Sequence, residues 1–138
     1  MGLVVDHSRW PVVTASVEKP SDLEELAGGL ELILADERPF GLSILAPQNL
    51  ETLNEMLWEA PEARRRLRRQ RSRMAAWCEA TAHVLDEDAL ARTMPSDLRY
   101  AELVWGCATV AAGSEEDAAE KLLGLLAERP VSLPMQAV

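Results

Sequence analysis

Short β-rich runs alternating with amphipathic helices need crossover connections on at least one face of a sheet. That pattern predicts an α/β fold, a mixed β-sheet flanked by amphipathic helices. Three observations carry the prediction. Pro11 to Val17 and Phe40 to Ala46 read as strands. Between them Leu23, Leu26, Ala27, Leu30, Ile33 and Leu34 repeat at helical spacing, and a similar leucine and alanine pattern returns near the end of the chain. At 138 residues the chain is expected to form one domain, placed at 1–130, with 131–138 as a C-terminal tail.

Each element has its own signal. Leu3 to Val5 and Pro11 to Val17 flank His7-Ser8-Arg9 and predict a hairpin, with Pro11 at a strand start or edge. Ser21 is placed to cap the first helix, with Glu24 reaching back as its third helical residue behind Pro20. Gly28 and Gly29 weaken that helix by about 1 kcal/mol each relative to Ala, which points to something packed closely against them. Arg38-Pro39 closes the helix, and Phe40 to Ala46 follows as a mostly buried strand. A short helix is expected over Glu51 to Glu59, and Pro61 suits the first turn of the next. From there Ala63, Leu67, Gln70, Met74, Trp77, Cys78, Thr81, Val84 and Leu85 recur at steps of three and four, so the helix is expected to run on through Leu85, with Met74 and Trp77 in the core.

Asp88 to Met94 is ambiguous in propensity and ends at Pro95. Ser96 then caps a helix through Trp105, with Leu98, Ala101 and Val104 facing inward. Cys107 to Ala112 reads as a short strand of small residues. Gly113-Ser114 turns the chain into a last helix, where Glu115, Glu116 and Asp117 meet the positive helix end. Ala118, Ala119, Leu122, Leu123, Leu125 and Leu126 are its expected packing face. The resulting order is β-β-α-β-α-β-α-β-α. An all-helical packing competes with it, because the middle of the chain is strongly helical and the late strands are weak.

That order, with particular stretches, resembles the STAS and SpoIIAA-like families, small cytoplasmic modules with a mixed sheet flanked by helices. The similar stretches are Trp10 to Val17 before a capped helix, Pro39 to Leu45 as the next strand, and Arg64 to Trp77 as an arginine-rich helix ending near a tryptophan. They continue through Pro95 to Trp105 and through Ala108 to Ala112 leading into Ser114 to Ala119, so the likeness covers roughly residues 3 to 128. The resemblance implies the fold and, by analogy, use as a protein-interaction module. In the anti-sigma-factor-antagonist members the matching strand runs into an Asp-Ser pair whose serine is phosphorylated. Here it runs into Ala46-Pro47-Gln48-Asn49, which has no hydroxyl, while Ser43 lies inside the strand. The phosphoswitch is therefore not expected to carry over.

Charge is the most informative surface feature. Seven of the fourteen basic residues fall between Arg64 and Arg73, while the rest of the chain sets seven positive against 23 negative charges, or −16. A pI near 4.7 disfavours nucleic-acid binding by the molecule as a whole. The first residues have neither a basic n-region nor a long apolar run, Gly2 followed by Ser8 does not fit the myristoylation pattern, and no stretch is long enough to span a membrane. Cys78 and Cys107 stand in separate segments without metal-ligand spacing and read as reduced thiols, so the expected location is cytoplasmic.

No enzyme constellation is legible, and no cofactor or metal is expected. His7 and His83 stand far apart and belong to no metal-binding pattern. Asp6-His7-Ser8 offers acid, base and hydroxyl types, but adjacency in sequence does not aim a base at a nucleophile; it reads as a polar turn. His83 reads as a boundary residue on the long helix, and Asp86-Glu-Asp88 as a solvated helix end without the Ca²⁺ loop pattern. The expected function is a non-catalytic interaction or scaffold module that binds a protein partner or self-associates. Its expected binding residues are Arg64, Arg65, Arg68, Arg69, Arg71 and Arg73, because guanidinium makes paired directional hydrogen bonds to carboxylates or phosphates. Arg64, Arg68 and Arg71 can share one helix face, and Arg65, Arg69 and Arg73 another. The competing reading is an ordinary solvated helix neutralised by Glu55, Glu59 and Glu62. The alternative function is a small-ligand or lipid-binding module, with Trp10, Trp58 or Trp105 bordering a pocket. Nucleic acid is disfavoured for want of interleaved aromatics.

Overall fold

The computed structural model describes residues 4–45 and 50–128. Leu3, the expected strand end at Ala46, the Ala46–Asn49 segment and the 131–138 tail lie outside the described residues. The elements are β1 (Val5–Asp6), β2 (Val12–Ser16), α1 (Pro20–Ala35), β3 (Phe40–Leu45), α2 (Leu50–Trp58), α3 (Pro61–Trp77), β4 (Cys78–Val84), α4 (Glu87–Arg92), α5 (Pro95–Trp105), β5 (Ala108–Ala112) and α6 (Glu115–Glu128). The five strands form one mixed sheet in the order β1-β2-β3-β4-β5. β1 pairs antiparallel with β2, and every later pair is parallel. The α/β expectation holds and the all-helical alternative falls.

The sheet separates two cores. Val13, Ala15, Phe40, Leu42, Ile44 and Cys78 join the buried faces of α1, α2, α3 and α5. On the other face Val12, Ala80, Ala82 and Ala112 meet Ala118 and Leu122 of α6. Small residues let α6 approach: a Cβ on Gly41 would stand 3.0 Å from that of Leu122. The packing face of α6 is narrower than its leucines suggest. Ala118 and Leu122 are buried, whereas Leu123 is 47% exposed.

β4 corrects the sequence reading. Cys78 to Val84, assigned to the end of a long helix, leaves helical geometry at Cys78 and becomes a central parallel strand. A strand covered on both faces has no polar face to alternate with, so Cys-Glu-Ala-Thr-Ala-His-Val carried little period-two signal. Its apolar positions happened to extend the three-and-four steps of the helix before it. The Asp88–Met94 stretch, ambiguous in propensity but standing as the fourth strand in the expected order, is instead largely the short helix α4, and the carboxylate of Asp86 accepts the Ala89 N–H at 2.7 Å. That carboxylate run opens a helix; it does not close one.

Two helix starts share a device that the capping expectation missed by two residues. α1 begins at Pro20, not after Ser21, and its third residue, Asp22, accepts the N–H groups of Glu18 at 2.8 Å and Lys19 at 3.2 Å. α5 begins at Pro95, and Asp97 accepts the Met94 N–H at 2.8 Å. Proline supplies a helical φ and lacks the N–H that would otherwise be left without a partner, so each helix starts at the proline. α6 uses a reciprocal pair instead: Ser114 Oγ accepts the Asp117 N–H at 3.0 Å while Asp117 accepts that of Gly113 at 3.2 Å.

The two glycines of α1 differ in what they allow. A Cβ on Gly29 would stand 2.8 Å from Val5 Cγ2, so β1 seats directly on the helix there, while one on Gly28 would meet the end of the long Arg66 side chain at 3.3 Å, which can give by a few tenths of an ångström. Gly28→Ala is expected to raise stability by up to about 1 kcal/mol through helix propensity. Gly29→Ala is expected to lower it by about 1 kcal/mol, because overpacking against a stiff, short side chain exceeds the same helical gain. Urea melts of the two variants should rank them in that order.

Candidate functional site

The seven arginines of α3 divide by what surrounds them. Ala63, Leu67, Gln70 and Met74 form the buried stripe of the helix. Arg66 turns toward α1 and makes a two-point contact with Glu31, Nε to Oε1 at 3.0 Å and Nη2 to Oε2 at 2.9 Å. That guanidinium holds the Glu31 carboxyl below its usual range. Beside it Gln70 donates to the Ala27 carbonyl at 3.0 Å, so this flank docks α3 on α1. Sequence reasoning missed Arg66 as a structural residue, because its partner lies 35 positions away. Of the acids expected to neutralise the helix, Glu62 pairs with Arg65. Arg65, Arg69 and Arg73 are exposed.

Arg64, Arg68 and Arg71 face α2 and α5. With Asn54, Leu57, Trp58, Leu67, Tyr100, Leu103 and Val104 they line a groove of about 200 Å³. The Arg64 guanidinium carbon sits 4.4 Å from the centre of the Trp58 ring, a cation–π stack. Arg64 Nε is shielded from solvent and has no hydrogen-bond partner among the described residues. Arg71 Nη1 donates to the Leu103 carbonyl at 2.9 Å, fixing the far end of the groove. Close contact continues at Gly106, which ends α5 in a left-handed conformation at φ 86°. A Cβ there would meet the Arg71 carbonyl oxygen at 2.7 Å, so only glycine allows this approach.

Large apolar and aromatic side chains of the groove stand open to solvent. Trp58 is 63% exposed, Leu103 65% and Tyr100 46%, and Met94, 60% exposed, stands at the start of α5. The tryptophans expected to border a pocket are separated. Trp58 lines the arginine groove. Trp105 is buried behind it, and Trp10 lies on a different surface, packed on Phe40 with Arg38 over its face at 4.4 Å.

A smaller hollow adjoins the groove, sharing Asn54, Leu57, Tyr100 and Val104 with it, and reaches His83 and Trp105. His83 was expected at a helix boundary; it is instead buried in β4, where its Nε2 accepts the Trp105 indole N–H at 3.1 Å. Nε2 therefore carries the lone pair and Nδ1 the proton, and Nδ1 has no partner among the described residues. Burial pushes the imidazole down to about 4, so it is neutral at pH 7.

Asp6 accepts the Ser8 N–H at 2.9 Å, which makes Asp6-His7-Ser8 a polar turn. Cys78 is buried, and burial together with the neighbouring Cys107 thiol raises its pKa well above the usual thiol value. No three His, Cys, Asp or Glu side chains among the described residues are grouped to hold a metal ion. No described helix is long and apolar enough to cross a membrane. Comparison with family models, with curated proteins and with solved structures finds no match for this chain.

Proposed function

We propose that this chain is a non-catalytic module that binds a protein partner through the groove between α2, α3 and α5. The observation that carries this reading is the coincidence, at one place, of Trp58, Tyr100 and Leu103 left in solvent with Arg64, Arg68 and Arg71 beside them. Trp, Tyr and Arg are the residues that dominate binding energy at protein interfaces, where an apolar floor is ringed by directional polar groups. The resemblance to the STAS and SpoIIAA-like families agrees, since that fold serves as an interaction module, here without a phosphorylated Asp-Ser pair. A cytoplasmic setting fits the reduced cysteines.

An enclosed ligand pocket receives less support. The hollow that reaches Trp105 holds only about 20 Å³, and Trp10, packed on Phe40, borders an open surface hollow of about 390 Å³ and not an enclosed one. The room beside Trp58 is bounded by side chains about half in water, which suits a docked surface.

Two triple variants test the reading. Arg64→Gln with Arg68→Gln and Arg71→Gln strips the groove. Arg65→Gln with Arg69→Gln and Arg73→Gln removes the same charge from the solvent face. The solvent-face variant should fold, since exposed charges contribute only about 0–1 kcal/mol per pair; the groove variant also loses the Arg64–Trp58 stack and the Arg71–Leu103 hydrogen bond, so its circular dichroism and thermal melt are checked against wild type before capture. In affinity capture from native cells, the groove variant should lose the partners that the wild type and the solvent-face variant retain. Higher salt should weaken the wild-type complex, with screening over about 8 Å at physiological ionic strength. Equal retention by all three proteins would overturn the proposal.

A further inference from the structure

We infer that the groove's occupant is an acidic amphipathic helix of a partner protein, an inference that rests on the binding reading above. Arg64, Arg68 and Arg71 follow i, i+4, i+7 spacing and all line the groove. They form one positive stripe running about 10 Å along α3 at 1.5 Å per residue. The same groove offers apolar surface beside it: Leu57 and Leu67, buried, Val104, half-buried, and Trp58, Tyr100 and Leu103, open to solvent. A positive stripe beside apolar surface is the complement of a helix whose carboxylates repeat at the same spacing beside its own apolar face. The volume, about 200 Å³, takes anchor side chains and leaves the helix backbone above the rim.

Arg64 gives this its chemical point. Its Nε donor is out of water with no acceptor among the described residues, a costly state for a charged group, and its guanidinium is held in place on Trp58. A carboxylate entering beside Trp58 would meet the terminal nitrogens of that guanidinium and neutralise it in a charge-assisted bond.

Long-range charge narrows the choice further. The seven positive charges sit on a body carrying −16, so a broad acidic surface would be repelled wherever it overhung the arginines. A slim helix confined to the stripe avoids that repulsion. A second copy of this chain fits worse. A two-fold dimer closed over the groove would set arginine stripe against arginine stripe.

Selection from a displayed library of helix-forming peptides, randomised at every surface position, asks the purified chain what it prefers. The expected pool carries Asp or Glu at i, i+4 and i+7 beside Leu, Phe or Trp. A synthetic peptide from it should gain helicity on binding and lose affinity about tenfold or more to the groove triple variant or to Trp58→Ala. The solvent-face triple should bind it within about twofold of wild type. Selection of neutral, basic or extended sequences, enrichment of nothing, or equal binding of a peptide with its carboxylates scrambled would overturn the inference. So would groove-dependent binding to phosphatidylserine-containing vesicles or to single-stranded DNA tighter than to any selected peptide. Cellular partners lost with the groove triple but no acidic helix in the selection would leave the binding reading standing and remove only this one.

Discussion

Leu30→Ala is expected to lower the unfolding free energy by about 2–5 kcal/mol, on the order of 10 °C in Tm. Leu30 is fully buried in the main core, which joins α1 and α3 to the inner face of the sheet. Truncation there removes apolar contact and leaves a cavity that the surrounding helices close only in part. The stripe it belongs to was read from spacing alone, so this variant also tests the step from periodicity to packing. Leu32, on the same helix but 76% exposed, supplies the control: Leu32→Ala should change stability by no more than about 0.5 kcal/mol. Equal melts for the Leu30 variant and the wild type would place Leu30 outside the core.

Acid should destabilise the fold through His83 before most carboxylates titrate. Unfolded, this imidazole binds a proton near pH 6.5; folded, only near about pH 4, because burial opposes the charge. Between those values the unfolded chain holds the extra proton, so stability falls as pH drops from about 6.5 and the loss is complete near 4. The pKa difference corresponds to roughly 3 kcal/mol. Asp97 and Tyr100 line the hollow beside His83, but Asp97 is engaged by the Met94 N–H. His83→Gln, which does not titrate, should lose stability at pH 7 with the Trp105 hydrogen bond and show a shallower fall between pH 6.5 and 4. Parallel pH profiles for variant and wild type would mean that His83 is not held neutral by burial.

What was legible in the sequence divides by the reach of the interactions. The α1 stripe, β2 and β3 could be read because their signals are local: a 3.6-residue period and β-rich runs bounded by proline. β4 could not, since a strand buried on both sides shows no polar face. Its small residues, Ala80 and Ala82, make sense only once α6 lies across them. The candidate groove was half visible. Spacing put Arg64, Arg68 and Arg71 on one face, and the structure lines one groove with them. The aromatic half comes from Trp58 on α2 and Tyr100 on α5, and no pattern along the chain could show that those helices flank α3. Arg66 looked like its neighbours until Glu31 was found opposite it.

Site-specific photocrosslinking in native cells tests the central claim most directly. A benzophenone amino acid placed at Leu103 stands on the groove wall, and the same probe at Arg73 stands on the exposed end of α3. The groove reading predicts discrete crosslinked partner species from position 103 and none from position 73, with the position 103 product lost when Arg64, Arg68 and Arg71 are changed to Gln. Products from position 73 alone, equal products from both positions, or none from position 103 would contradict it.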